Sequence, residues 1–198
     1  MHRTLLRLAA PLALAAALTA PACLPASAAE APPTAAAHPG FPVPGGITGW
    51  GRMAYGDPRD DVRISVDAHG LFAPTHSTTA AHPWGRFRIQ HYSPPEDGSP
   101  ASFNWGDFVV DCLRVDGTEV SVTGRLVDAG PVWQEFLNRE PLPARMGLSF
   151  RLPAPGGRPG EARVGLTPPA AKGAPDIPKC STGPAESSLT AGGYTLTT

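Results

Sequence analysis

The feature that most constrains this chain is a period of two in its apolar residues. Val62, Ile64, Val66 and Ala68 fall on one side of an extended segment, with Arg63, Ser65 and Asp67 on the other. Successive side chains of a strand point to opposite faces, so this spacing predicts a half-buried β-strand. The pattern recurs at Phe87, Ile89 and His91, which alternate with Arg86, Arg88 and Gln90. Phe108–Val115 is apolar on both sides apart from Asp111 and Arg114, which predicts a central, well-covered strand. Val120, Val122 and Leu126 follow, then Met146, Leu148, Phe150 and Leu152, then Ala162, Val164 and Leu166, and finally Tyr194 and Leu196. With a weaker segment at Gly46–Tyr55 the count is about eight strands. One segment has helical spacing instead: Val132, Trp133, Phe136 and Leu137. Pro131 suits its first position and Pro141 stops it. The expected fold is all-β, a single antiparallel barrel or sandwich with one short helix in a connection. Two connections, Gly70–Pro83 and Pro168–Gly193, are long for such a fold and need a structural reason.

The hairpin at Asp116-Gly117 has two readings. A two-residue turn pairs Val115 with Thr118 and sets Leu113 opposite Val120. A three-residue turn ending on Gly117 pairs Arg114 with Thr118 and sets Cys112 opposite Val120. A slip of one residue exchanges the two faces. The second register is preferred because it gathers Phe108, Val110, Cys112, Val120 and Val122 on one apolar face.

The N-terminus reads as an export signal. His2, Arg3 and Arg7 make a basic start, Leu8–Leu18 is apolar, and Ala26-Ser27-Ala28 is a small-residue cleavage pattern. Residues 1–28 are therefore expected to be a signal peptide cleaved near Ala28, and the protein to be secreted. The apolar run is too short for a spanning helix, which needs roughly 20 apolar residues, and no later stretch of the chain is apolar enough. Lipid attachment at Cys23 would want a branched apolar residue three positions earlier, and Leu18 is five earlier. Residues 29–45 are Ala/Pro-rich without period and read as a disordered leader. The β domain is placed at 46–198. The 25 prolines and 22 glycines approach the level of low-complexity disorder. Arg, Ala, Gly and Pro all have GC-rich codons, however, and only 17% of residues are charged, so disorder is not inferred for the domain. A net charge of −1 excludes a strongly basic nucleic-acid binder. Beyond the signal two cysteines remain, Cys112 and Cys180, and an oxidising destination makes a disulfide between them the expectation. It would close a loop of nearly 70 residues, for which the chain-entropy relation gives about 4 kcal/mol as an upper bound.

The run Val110-Asp111-Cys112-Leu113-Arg114-Val115-Asp116-Gly117, followed by Val120-Ser121-Val122-Thr123-Gly124, resembles a group of small secreted actinobacterial β-proteins sometimes labelled repetin-like. The likeness extends upstream through Val62–Gly70 and Gly85–His91. Downstream it takes in Arg145–Phe150, Arg163–Leu166, Cys180 and Gly192-Gly193-Tyr194-Thr195-Leu196, so it covers most of the chain after the leader. Trp133–Leu142 fits the pattern less well. The resemblance implies a compact β-fold with a Cys pair, and no established activity.

Candidate chemistry is sparse. His69, His76 and His82 are a conceivable metal set, with Asp67 and His91 nearby, but their spacing fits no compact metal motif. Asp57, Asp60 and Asp61 read as a solvated turn, with a calcium contact as the sharper alternative. Asp111 is the unusual carboxylate, on a mostly apolar strand. A glycosidase needs two carboxylates across a cleft, and Asp107, Asp111 and Glu119 cannot be placed so. No nucleophile elbow, phosphate loop or cofactor motif occurs. Trp84, Phe87, Tyr92, Phe103 and Trp105 cluster in two neighbouring strands, where they could be core and rim or a stacking platform for a sugar or lipid. From these, Trp84, Phe87, His91 and Trp105 are taken as the ligand-binding candidates. The expected function is that of a monomeric, non-enzymatic binding or surface-interaction module without cofactor. Its ligand is a small molecule, polysaccharide or protein. The alternative is an extracellular hydrolase, metal-dependent or carboxylate, using the His69–His91 region.

Overall fold

The structure, a computed structural model, describes residues 40–74 and 77–197. The expected signal peptide and the leader up to residue 39 lie outside the described residues. Eight strands follow in order: β1 (Val43–Met53), β2 (Asp61–Phe72), β3 (Ala81–Ser93), β4 (Ser102–Asp116), β5 (Glu119–Ala129), β6 (Arg145–Arg151), β7 (Arg163–Thr167) and β8 (Ser187–Thr197). Each pairs antiparallel with the next, and β8 returns to β1. Of the two expected architectures the protein is thus the barrel, closed and up-and-down. β1 begins at Val43, inside the stretch read as leader. The expected helix is present between β5 and β6: a 3-10 turn at Pro131–Trp133 with its proline at the start, then α1 (Gln134–Leu137). Among the described residues no helix is long and apolar enough to cross a membrane.

Eight strands enclose a space just wide enough for side chains or one small ligand. Here side chains fill the middle. Phe87 and Phe108 stack at 4.5 Å, and Phe150 meets Tyr194 edge-on at 4.7 Å. Ile47, Ile64, Leu113, Val122 and Leu148 complete the same fully buried core. Gly124 makes room for this filling, since a Cβ there would lie 2.7 Å from Phe87 Cε1. Tyr194 is buried, and its hydroxyl donates to the Ile64 carbonyl at 3.1 Å.

The hairpin follows neither expected register. Gly117 and Thr118 form the two-residue turn, Asp116 faces Glu119, and Leu113 faces Val122. Cys112 faces Thr123, while Val110 faces Gly124, so Asp111 is an extra residue in β4, a β-bulge. The bulge changes the phase of the strand. Phe108 and Val110 point inward before it, Leu113 and Val115 after it, and Cys112 is turned to the outer wall. The expected apolar face is kept with Leu113 in the place given to Cys112.

Both long connections have structural reasons. Residues 77–80 run along the part of β4 that β3 does not reach, with Ala80 N–H donating to Leu113 O at 2.9 Å and Val115 N–H to Thr78 O at 2.7 Å. Residues 168–186 form a strap over the outer wall of β4–β6. Arg139 donates to the carbonyls of Ala170 and Ala174 at 3.2 and 2.8 Å. Ser121 and Thr182 hydroxyls meet at 2.9 Å, and Asp176 pairs with both Arg125 and Arg145. Cys180 sits at disulfide distance from Cys112, with Cα atoms 5.4 Å apart.

Candidate functional site

The ends of the barrel differ. At one end, where β1, β3, β5 and β7 finish, a cavity of about 730 Å³ opens. Its walls include Ile89, Trp133, Phe136 and Leu166, with Tyr55 and His91 at the rim. Pro168 and Pro184 of the strap close one side. The short helix forms part of the floor. Gly106 permits this, because a Cβ there would lie 2.5 Å from Trp133 Cε3. Trp133 in turn meets Phe108 edge-on at 6.1 Å, which ties the floor to the core. The opposite end holds a hollow of about 670 Å³ beside Leu152, Pro153 and Leu196. Its lining carries no charged side chain, and its Tyr194 hydroxyl is already committed to Ile64.

His91 is the polar handle of the first cavity. Its Nε2 lies 2.8 Å from Asp60 Oδ2 and 3.1 Å from Ser93 Oγ, and its ring meets Tyr55 edge-on at 5.0 Å. Acyl transfer by a Ser–His–Asp set needs serine and carboxylate on opposite ring nitrogens. Here both oxygens share one nitrogen. The cluster therefore fixes the imidazole and does not activate Ser93. With Nε2 engaged by Asp60 and Ser93, Nδ1 is the ring nitrogen that a ligand can meet.

The four ligand-binding candidates do not form one site. His91 reaches the cavity. Phe87 is buried in the core. Trp84 stands on the outer wall, stacked with His69 at 5.7 Å, and Trp105 lies on the outer wall under the Arg88 guanidinium, 4.5 Å from its ring centre. Of the metal candidates, His76 lies outside the described residues. His69 Nε2 pairs with Asp67 at 2.6 Å, and His82 is an exposed residue at the start of β3. Among the described residues no three His, Cys, Asp or Glu side chains are gathered to hold a metal ion. Compared with known protein families, curated proteins and solved structures, the chain matches none.

The acidic residues have distinct duties. Asp57 pairs with Arg59, and Asp60 orients His91. Asp61 takes a forked contact from Arg63 and a further one from Arg52 at 3.1 Å. The hydrogen bonds from Arg63 hold the Asp61 carboxyl below the usual carboxylate range. Asp111 binds Arg145 at 2.7 Å and accepts from the Thr123 hydroxyl at 2.7 Å. Sequence reasoning missed Tyr55, Trp133, Phe136 and Leu166 as cavity residues. The usable signal was the three-residue spacing of Trp133 and Phe136, which puts both on one face of a helical turn.

Proposed function

We propose that this protein is a secreted, monomeric, non-enzymatic binding module that holds a small, mainly apolar ligand at the open end of its barrel. The carrying observation is a cavity of about 730 Å³ with mostly apolar walls and one oriented imidazole at its rim. Ligand pockets have this composition: apolar walls for affinity and a few placed polar groups for orientation. The ligand carries a hydrogen-bonding group for His91 and an apolar body for Phe136 and Leu166. Export is supported by the N-terminal pattern, by the likeness to secreted actinobacterial β-proteins, and by a cysteine pair at disulfide distance.

The test is titration with the neutral fluorophore N-phenyl-1-naphthylamine. Saturable one-to-one binding is expected, and it is lost in Tyr55→Asp, a change at an exposed rim position that places a charge against the apolar ligand. Absence of saturable binding, or binding indifferent to the substitution, overturns the reading. Native mass spectrometry of the protein from its own host then gives the mass of any resident ligand.

A further inference from the structure

The outer wall of β2–β4, beside the strap, carries a second group of side chains separate from the cavity. Across β2, β3 and β4, two neighbouring rows face outward: Asp61, Tyr92 and Phe103 in one, Arg63, Gln90 and Trp105 in the next. Tyr92 and Phe103 are 41% and 52% exposed, although both are large and apolar. Asp61, Arg63, Gln90, Tyr92 and Phe103 line a groove of about 270 Å³. Trp105 is fixed beside it by the Arg88 guanidinium, which is itself held by Asp107 at 3.3 Å. The wall thus alternates flat rings with a strip of carboxylate, guanidinium and amide.

We infer that this wall binds a neutral polysaccharide. A sugar ring has an apolar C–H face, which stacks on an aromatic plane, and a rim of hydroxyls, each both donor and acceptor. The two kinds of group on this wall match those two features. Within β2–β4 the charges around the rings cancel in pairs, Asp61 with Arg63 and Asp107 with Arg88, which favours a neutral chain. A lipid surface would bury the Asp61–Arg63 pair without replacing its water. A protein partner would need roughly 20–30 residues a side, and this wall offers six. The reading is independent of the barrel cavity and stands whatever that cavity holds.

The experiment is co-sedimentation of the protein with microcrystalline cellulose, chitin and insoluble β-1,3-glucan. Retention on at least one of them is expected. Tyr92→Ala with Phe103→Ala lowers it by at least about tenfold, and Trp105→Ala alone lowers it less, as removal of stacking surface requires. The rim change Tyr55→Asp leaves retention as it was, which separates this wall from the cavity. Tyr92 and Phe103 are exposed and Trp105 is half-buried, so an unchanged urea midpoint verifies that each variant keeps its fold; if the double variant fails to fold, Tyr92→Ser alone carries the comparison. Retention on none of the glycans, or retention indifferent to the ring substitutions, overturns the inference. Co-sedimentation with phosphatidylcholine vesicles in place of the glycans also overturns it and assigns the wall to a membrane.

Discussion

The Asp111 carboxylate and the Arg145 guanidinium meet at 2.7 Å on the outer wall, beneath the strap. Both side chains are largely buried, and Arg145 also donates to the Ile177 carbonyl at 2.5 Å. The pair exists because Asp111 is the bulged residue of β4, which lets a polar side chain leave an otherwise apolar strand on the outer side. Removing Asp111 leaves the buried Arg145 guanidinium with only the longer carboxylate contact to Asp176 at 3.6 Å. We expect Asp111→Ala to cost about 3 kcal/mol. The urea midpoint measures this, and a loss under about 0.5 kcal/mol would show that the pair does not hold the wall together.

The Cys112–Cys180 pair anchors the same strap one residue further along β4. The oxidised protein, denatured, is expected to weigh about 2 Da less than the all-thiol form. Replacing both cysteines by serine is expected to lower stability by up to about 4 kcal/mol, since the unfolded chain regains the freedom of the open loop. Because Cys180 N–H donates to Thr123 Oγ1, which itself donates to Asp111, the cysteine and Asp111 substitutions should not be additive. An additive double-mutant cycle would separate the two devices.

Tyr194 links stability to alkaline pH. Burial pushes its phenol well above the ordinary value, so the folded state keeps a proton that the unfolded state gives up. The contribution is whole below about pH 10, the unfolded value, and is lost as pH rises towards the folded one. Tyr194→Phe is expected to cost about 1 kcal/mol at neutral pH through the lost bond to Ile64. It should also flatten the fall in stability above about pH 10. Parallel curves for the two proteins would contradict the assignment.

Gly106 lies where the core meets the cavity floor. A Cβ there meets Trp133 at 2.5 Å and Leu126 Cδ1 at 2.9 Å. Gly106→Ala should therefore cost about 2 kcal/mol by overpacking. Displacement of Trp133 should also weaken fluorophore binding. A variant that binds as tightly as the parent would place the ligand away from the helix.

The strands were legible because a half-buried barrel wall must alternate, and Val62 to Ala68 or Met146 to Phe150 do so without interruption. The register at Asp116-Gly117 was not, because a single inserted residue reverses parity while leaving both stretches apolar. The one trace of it is the polar Asp111, where the inward set passes from Phe108 and Val110 to Leu113 and Val115. Trp84 and Phe87 do not share a face, for a plainer reason. Trp84 and Phe87 are three residues apart, and an odd separation in a strand puts two side chains on opposite faces. The cavity was hidden more deeply. Its walls come from β3, the short helix, β7 and the strap, and only closure of the barrel makes them neighbours.

Closure is thinnest between the last two strands. β7 meets β8 only at Arg163–Ser188 and Val164–Ser187, whereas β1 and β2 run together along their whole length. A free strand end of this kind is where one β-protein adds to another and begins to aggregate. The strap occupies that position: Gly183 N–H donates to Thr167 Oγ1 at 2.6 Å, and the Pro184 carbonyl lies against Gly165. The Cys112–Cys180 pair, three residues earlier, therefore anchors the segment that covers this edge as well as closing a loop. Release of the strap, by reduction together with loss of its polar contacts, would lay the end of β7 open to pairing with another chain.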